Sequence, residues 1–259
     1  MIEEPYRWVE AIANRGEYIE TQLAEGSPIV ALGYRDGILF LTLGRTRQKL
    51  FEIYDRIAMG AIGHPGDIER LRMASIELAS TEGFTRSAAD VSLRRLAHYS
   101  LSPVLKTAFE QVYGAPYLVR LLFAEIGGKQ ENDLFLRLDY DGAIATNNAT
   151  FAQTRQDFGA LSGTRASTEL MERYLAAEHS AGATFERALK LSLDAWIVGH
   201  LALAEAAAKE IPGRDKILAE RKERLRAAGI EAAVLERDAK IAIRYRTLPE
   251  AEIRSVLGD

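Results

Sequence analysis

Ile29-Val30-Ala31-Leu32-Gly33-Tyr34-Arg35-Asp36-Gly37-Ile38-Leu39-Phe40-Leu41-Thr42-Leu43 is two apolar runs broken by one polar step. Asp36-Gly37 is a hairpin turn signal between runs of strand-forming residues. The stretch therefore predicts two antiparallel strands, Ile29 to Tyr34 and Ile38 to Leu43. Two more follow, Lys49 to Tyr54 and Ile57 to Gly63, separated by Asp55-Arg56. Ile57-Ala58-Met59-Gly60-Ala61-Ile62-Gly63 is small and apolar throughout, the pattern of a strand buried on both faces.

Outward from this block, the pattern changes period. Residues 5–24 read as a helix, because Trp8, Ile12, Ile19 and Leu23 fall on one stripe. Pro5 suits the first helical turn. Helices are predicted at about 66–82 and 87–110, with Ser87 as an N-cap and Pro103 as a kink or break. Strands resume at Tyr117–Glu125, Leu134–Tyr140, Ala143–Thr146 and Phe158–Leu161. Ser162-Gly163 leads into helices at about 166–177 and 184–210. Strands in two sets and helices in pairs indicate an α+β layered sandwich, two sheets face to face with helices outside, and not alternating βαβ units. Pro212-Gly213 opens a tail, 212–259, dense in charge. Leu218, Leu225, Ile230, Val234 and Ile241 read there as one or two amphipathic helices, a helical C-terminal extension. The expected divisions are an N-terminal helix at 1–26, the sandwich at 27–211 and the extension at 212–259.

Composition narrows the function classes. The chain has 259 residues, 47% hydrophobic and 27% charged, with formal net charge -4 and no cysteine. Disulfide and thiolate chemistry are excluded, and the composition suits a reducing cytoplasm. Lys and Arg are spread along the chain, without the concentrated basic face of a nucleic-acid binder. No apolar stretch is long enough to span a membrane, and Met1-Ile2-Glu3-Glu4 lacks the features of a secretory signal. His64, His98, His179 and His200 show no zinc-site spacing, and Gly127-Gly128-Lys129 is too short for a phosphate loop. No cofactor or metal is expected.

The block Arg47-Gln48-Lys49-Leu50-Phe51-Glu52-Ile53-Tyr54-Asp55-Arg56-Ile57, the hairpin from Ser27 to Gly37, and Leu136-Arg137-Leu138-Asp139-Tyr140-Asp141-Gly142 together resemble proteasome α subunits, most closely bacterial ones. The resemblance covers about residues 5–210. It implies the four-layer αββα sandwich of the N-terminal-nucleophile (Ntn) hydrolases. It also implies a non-catalytic role: a ring, of seven, with other α subunits, stacked on a ring of catalytic β subunits. Such a ring admits unfolded protein substrates and docks a ring-shaped ATPase or other activator through C-terminal tails.

Site residues follow from both lines of reading. An Ntn hydrolase needs a Thr, Ser or Cys whose own freed amine serves as base. Ser27 stands where catalytic β subunits begin, but Pro28 follows it, and Leu43 stands where they carry an acidic residue. Only Lys49 survives of that constellation, so Ser27 reads as an ordinary residue at a strand start. A peptidase or amidase self-processed at Ser27 is the alternative, and a non-proteolytic scaffold of the same fold is another. Taken bare, Lys49 is a solvated Lys at a strand start. The resemblance implies that it lines a pocket between subunits and pairs with the carboxylate of an activator tail. Arg45 and Arg47 add positive potential, and Gly63 and His64 are candidates for the same pocket or simply a turn. The first helix, bare, covers a sheet edge or the domain end. The resemblance places Trp8 and Ile12 against ring neighbours and makes Met1 and Ile2 part of a short gating segment.

Overall fold

The computed structural model of the chain describes residues 5–44, 47–111, 113–146, 156–205 and 209–258. Helix α1 (Pro5–Leu23) leads into β1 (Ile29–Tyr34) and β2 (Gly37–Leu43), then β3 (Leu50–Tyr54) and β4 (Ile57–Gly63). Next come α2 (Pro65–Thr85), α3 (Leu93–Arg95), a π turn (Leu96–Leu101) and α4 (Ser102–Glu110). Strands β5 (Val119–Glu125), β6 (Leu134–Asp139), β7 (Ile144–Thr146) and β8 (Phe158–Leu161) follow. The chain closes with α5 (Arg165–Glu178), α6 (Phe185–Ala204), α7 (Arg214–Ala227), β9 (Ile230–Glu236), β10 (Tyr245–Leu248) and α8 (Glu250–Leu257).

The strands form two five-stranded antiparallel sheets, β10-β9-β2-β1-β8 and β3-β4-β5-β6-β7. Period-two alternation distributes the apolar side chains between layers. On β1, Ile29 and Ala31 face the opposite sheet, where they meet Leu122, Ala124 and Phe135. Val30, Leu32 and Tyr34 face outward, against Leu189, Trp196 and Ile197 of α6. On the other side, Met59, Leu121 and Phe123 pack against Leu71 of α2 and Leu101 and Leu105 of the helical run from 93 to 110. These three cores give the expected α+β arrangement of helices, sheet, sheet and helices. No helix among the described residues is long and apolar enough to cross a membrane.

Pro103 does not end its helix. The run widens to π spacing at Leu96–Leu101, and α4 begins at Ser102 with the proline in its first turn. The missing N–H then falls at the join, and the wider turn relieves the clash between the ring and the preceding carbonyl.

The tail requires a correction. The expected helices are present as α7 and α8, but the segment also supplies two strands. Strand β9 pairs with β2 along its whole length, from Gly37↔Glu236 to Leu43↔Ile230, and β10 forms the edge beyond it. Val234 and Ile230, placed on a helical stripe by their spacing, lie instead on the outward face of β9 within the core of α5 and α6. Gly37 reflects this pairing. A Cβ there would stand 2.2 Å from the Leu235 carbonyl oxygen, so the glycine permits the close approach of β9.

Candidate functional site

Lys49 immediately precedes β3, the edge strand of its sheet. Its carbonyl accepts from Ala61 N–H of β4 at 3.0 Å. Its own N–H points the other way, across the sandwich, and donates to both carboxylate oxygens of Glu231 on β9, at 3.0 Å each. Leu50 N–H donates to the same carboxylate at 2.9 Å. Burial pushes the Lys49 ammonium below its ordinary pKa, and the Glu231 charge pulls it back up. Burial raises the Glu231 carboxyl, opposed by its bonds from Leu50 and Lys49 and by the Lys49 charge. Among the described residues no acidic oxygen lies within 4.0 Å of the Lys49 ammonium, so its donors remain available. Arg47 is exposed nearby in the chain, and Arg45 lies outside the described residues.

Gly63 and His64 end β4 at the same end of the sheet as Lys49. Gly63 has φ +136, and a Cβ on it would meet the Leu118 carbonyl oxygen at 1.9 Å. The backbone that the glycine admits is therefore the chain's own. His64 N–H donates to that carbonyl at 2.8 Å, and His64 Nδ1 accepts from Gly66 N–H at 3.2 Å, capping α2. Asp67 Oδ2 completes the turn by accepting from Leu118 N–H at 3.1 Å. A turn role is thus present for both residues, and a pocket role would be additional to it.

Ser27 sits in the loop before β1. Its hydroxyl donates to the Leu43 carbonyl at 2.9 Å. An amide carbonyl is no general base, so the bond fixes the hydroxyl without activating it. The Gly26-Ser27 junction is held by Gly26 N–H on the Leu23 carbonyl at 2.8 Å and Gly163 N–H on the Gly26 carbonyl at 3.0 Å. Leu43 is a buried core residue, and Ser162 Oγ accepts from Ser167 Oγ at 2.8 Å.

Helix α1 is covered along only part of its stripe. Ile19 and Leu23 are buried against Tyr140, Phe109 and Leu118. Seven and eleven residues from Ile19 toward the N-terminus the stripe continues through Ile12 and Trp8, and Trp8 is 45% exposed with Val9 beside it at 60%. Met1 and Ile2 lie outside the described residues. The covered half is anchored by a residue that sequence patterning passed over. Arg120 of β5, 3% exposed, donates to Glu20 of α1 at 2.6 Å, to Asp139 at 3.2 Å and to the Gly163 carbonyl at 2.6 Å. Tyr140 adds an O–H bond to Glu20 at 3.0 Å. The available signal was a lone arginine within the apolar strand Val-Arg-Leu-Leu-Phe-Ala, where a charge requires partners.

The description "Proteasome subunit" belongs to the family model that matches residues 24–191. Among curated relatives, the proteasome subunit alpha of Streptomyces coelicolor is 35% identical over 188 residues, 72% of this chain and 69% of the relative. That of Kineococcus radiotolerans is 33% identical over 209 residues, 76% of this chain and 78% of the relative. That of a Nocardioides species is 29% identical over 252 residues, 96% and 87% of the two chains. With the two packed sheets, their flanking helices and the leading helix α1 in place, the chain belongs to the proteasome subunit family, on its bacterial α-subunit branch.

Proposed function

We propose that the chain is a non-catalytic α-ring subunit of a bacterial proteasome core, working in the cytoplasm in protein degradation. Seven copies form a ring that stacks on a ring of β subunits, which carry the peptidase activity. The ring admits unfolded chains, with Met1 and Ile2 contributing to the gate, and docks a ring-shaped ATPase or other activator by its C-terminal tails.

The observation that carries this reading is the half-covered stripe of α1. Trp8 and Ile12 continue the face that buries Ile19 and Leu23, yet the chain itself leaves Trp8 nearly half exposed. A stripe of that kind is completed by a second copy in a ring. A further uncovered apolar surface on the helix layer of α2 and the π turn, with Phe84 92% and Tyr99 81% exposed, suits stacking on another ring. Docking is assigned to Lys49, which is half-buried and whose ammonium meets no acidic oxygen among the described residues, with Gly63 and His64 at the same sheet end. A tail carboxylate losing water there needs such a partner.

The alternative, a hydrolase self-processed at Ser27, is disfavoured by the Ser27–Leu43 hydrogen bond. Peptide hydrolysis separates the two readings. The purified chain alone should cleave no peptide, and activity should appear only with a β-type chain present. Activity of the chain alone that disappears in Ser27→Ala would overturn the proposal.

A further inference from the structure

We propose that Glu231 is the positioning residue of the Lys49 site: it fixes the backbone from which Lys49 projects and keeps a negative charge beside the ammonium without occupying it. The inference rests on the reading of Lys49 as the tail-docking residue and adds a second residue to that site. Glu231 comes from the C-terminal segment, beyond the 24–191 stretch that matches the family model.

The geometry has three parts. First, β9 alternates so that Ala233 and Leu235 face the opposite sheet, and Glu231, two residues earlier, takes the same side at the strand's open end. A carboxylate at that position spans from one sheet to the edge strand of the other. Second, it accepts from two consecutive backbone N–H groups, Lys49 and Leu50. The Lys49 carbonyl is used in the ladder with Ala61 and the Leu50 carbonyl accepts from Gln48 Nε2 at 2.8 Å, while the carboxylate takes the two N–H groups at the start of the edge strand. Third, Glu231 acts on Lys49 by its field, yet no acidic oxygen among the described residues is within ion-pair distance of the ammonium. The three ammonium donors therefore stay open to an incoming carboxylate.

This arrangement answers a difficulty of the site. A lysine buried deeply enough to grip a carboxylate in a subunit seam tends to lose its proton, because burial penalises the charged form. A fixed negative neighbour opposes that loss. A neighbour in direct contact would compete with the tail, whereas one tied to backbone N–H groups is held back and its charge is partly neutralised by them. Among the described residues the Glu231 charge also reaches Tyr245 of β10, which the Glu52 charge of β3 reaches as well. Burial raises both, and Tyr245 is raised further by the Glu231 and Glu52 charges, so its phenol stays neutral. The Tyr245 hydroxyl is buried and makes no hydrogen bond among the described residues.

The test uses the assembled ring and a fluorescent decapeptide, the last ten residues of a proteasome-activating ring ATPase with its carboxylate free. The same decapeptide as the C-terminal amide is the control. Titrations are run at pH 7 and pH 9.5 on wild type, Lys49→Ala, Glu231→Gln and Glu231→Asp, with ring integrity checked by size exclusion at each pH. Glu231→Gln keeps an oxygen for the N–H groups and removes the charge. It should bind within about twofold of wild type at pH 7 and at least about threefold more weakly at pH 9.5. Glu231→Asp keeps the charge on a shorter arm, so it should weaken binding at both pH values by a similar factor. Lys49→Ala should bind the free acid no better than the amide. If Lys49→Ala binds poorly while Glu231→Gln follows wild type at both pH values, Glu231 has no role and the docking reading survives. Equal weakening of Glu231→Gln at both values would also overturn the charge-keeping role. If Lys49→Ala binds normally, the docking reading fails, and this inference with it.

Discussion

Arg120 on β5 and Glu20 on α1, 100 residues apart in sequence, meet at 2.6 Å with the guanidinium almost fully enclosed. The same guanidinium holds Asp139 and the Gly163 carbonyl, so one side chain joins the leading helix to both sheets and to the start of α5. Replacing it with Met would leave the Asp139 carboxylate and the Gly163 carbonyl without this donor. Arg120→Met should destabilise the chain by about 3–5 kcal/mol, the usual cost of breaking a buried pair from one side. Glu20→Gln, which leaves Arg120 its other acceptors, should cost about 1 kcal/mol. Denaturant titration measures both, and an Arg120→Met midpoint equal to wild type would remove the anchoring role.

The uncovered half of α1 predicts an assembly defect without a folding defect. Changing Trp8 and Ile12 together to Asp puts carboxylates where a neighbouring copy would bury apolar surface. Burial of two such side chains contributes on the order of 3–6 kcal/mol, enough to abolish a ring at micromolar concentration. Size exclusion should show smaller species, while circular dichroism stays unchanged. An unaltered oligomer would show that α1 takes no part in assembly.

The C-terminal segment should be indispensable to the sandwich. Strand β9 occupies the full length of β2, so truncation after residue 211 would expose seven backbone positions of β2 and the outward faces of Leu39 and Leu41. The truncated chain should be insoluble or aggregate. Gly37→Ala is the milder test. Its methyl meets the backbone of Leu235, and overpacking of this kind costs about 1–3 kcal/mol. A soluble, cooperatively folding 1–211 fragment would contradict the integral role of β9.

Much of this was legible in the sequence, and the exceptions share a cause. The runs from Ile29 to Leu43 and Ile57 to Gly63 declare strands because both faces are apolar. In Ile230-Glu231-Ala232-Ala233-Val234-Leu235-Glu236, Glu231 breaks that pattern, and the preceding Arg-rich helix makes the whole tail read as charged. The structure turns the Glu231 carboxylate onto the N–H groups of Lys49 and Leu50, a contact spanning 182 and 181 positions that no local pattern encodes. Arg120 escapes for the same reason, since its partners come from α1, β6 and the β8–α5 turn. Lys49 is legible as a residue, but its half-buried state follows only from β9 closing over the sheet edge.

Lys49 should cost stability in the absence of a bound tail. Its folded-state pKa lies below the ordinary value of 10.5 because burial disfavours the ammonium. Between the folded and unfolded values the unfolded chain binds more protons, so this residue's contribution to stability rises with pH there. Below the folded value the burial cost is present in full. Lys49→Met should therefore raise the denaturation midpoint at low and neutral pH, and its advantage should shrink as pH rises toward 10.5. A Lys49→Met midpoint below wild type, or a constant difference across pH, would show that the ammonium is not desolvated.

The chain is expected to close into a ring without being cut and without acting as a peptidase. Native mass spectrometry of the chain purified together with a β-type chain tests it directly. The expected result is a ring of about 200 kDa on dissociation, seven copies of an uncut 28.7 kDa chain, carrying Ser27 inside the polypeptide. A monomer that fails to associate with the β-type chain, or a chain whose mass shows cleavage between Gly26 and Ser27, would contradict it.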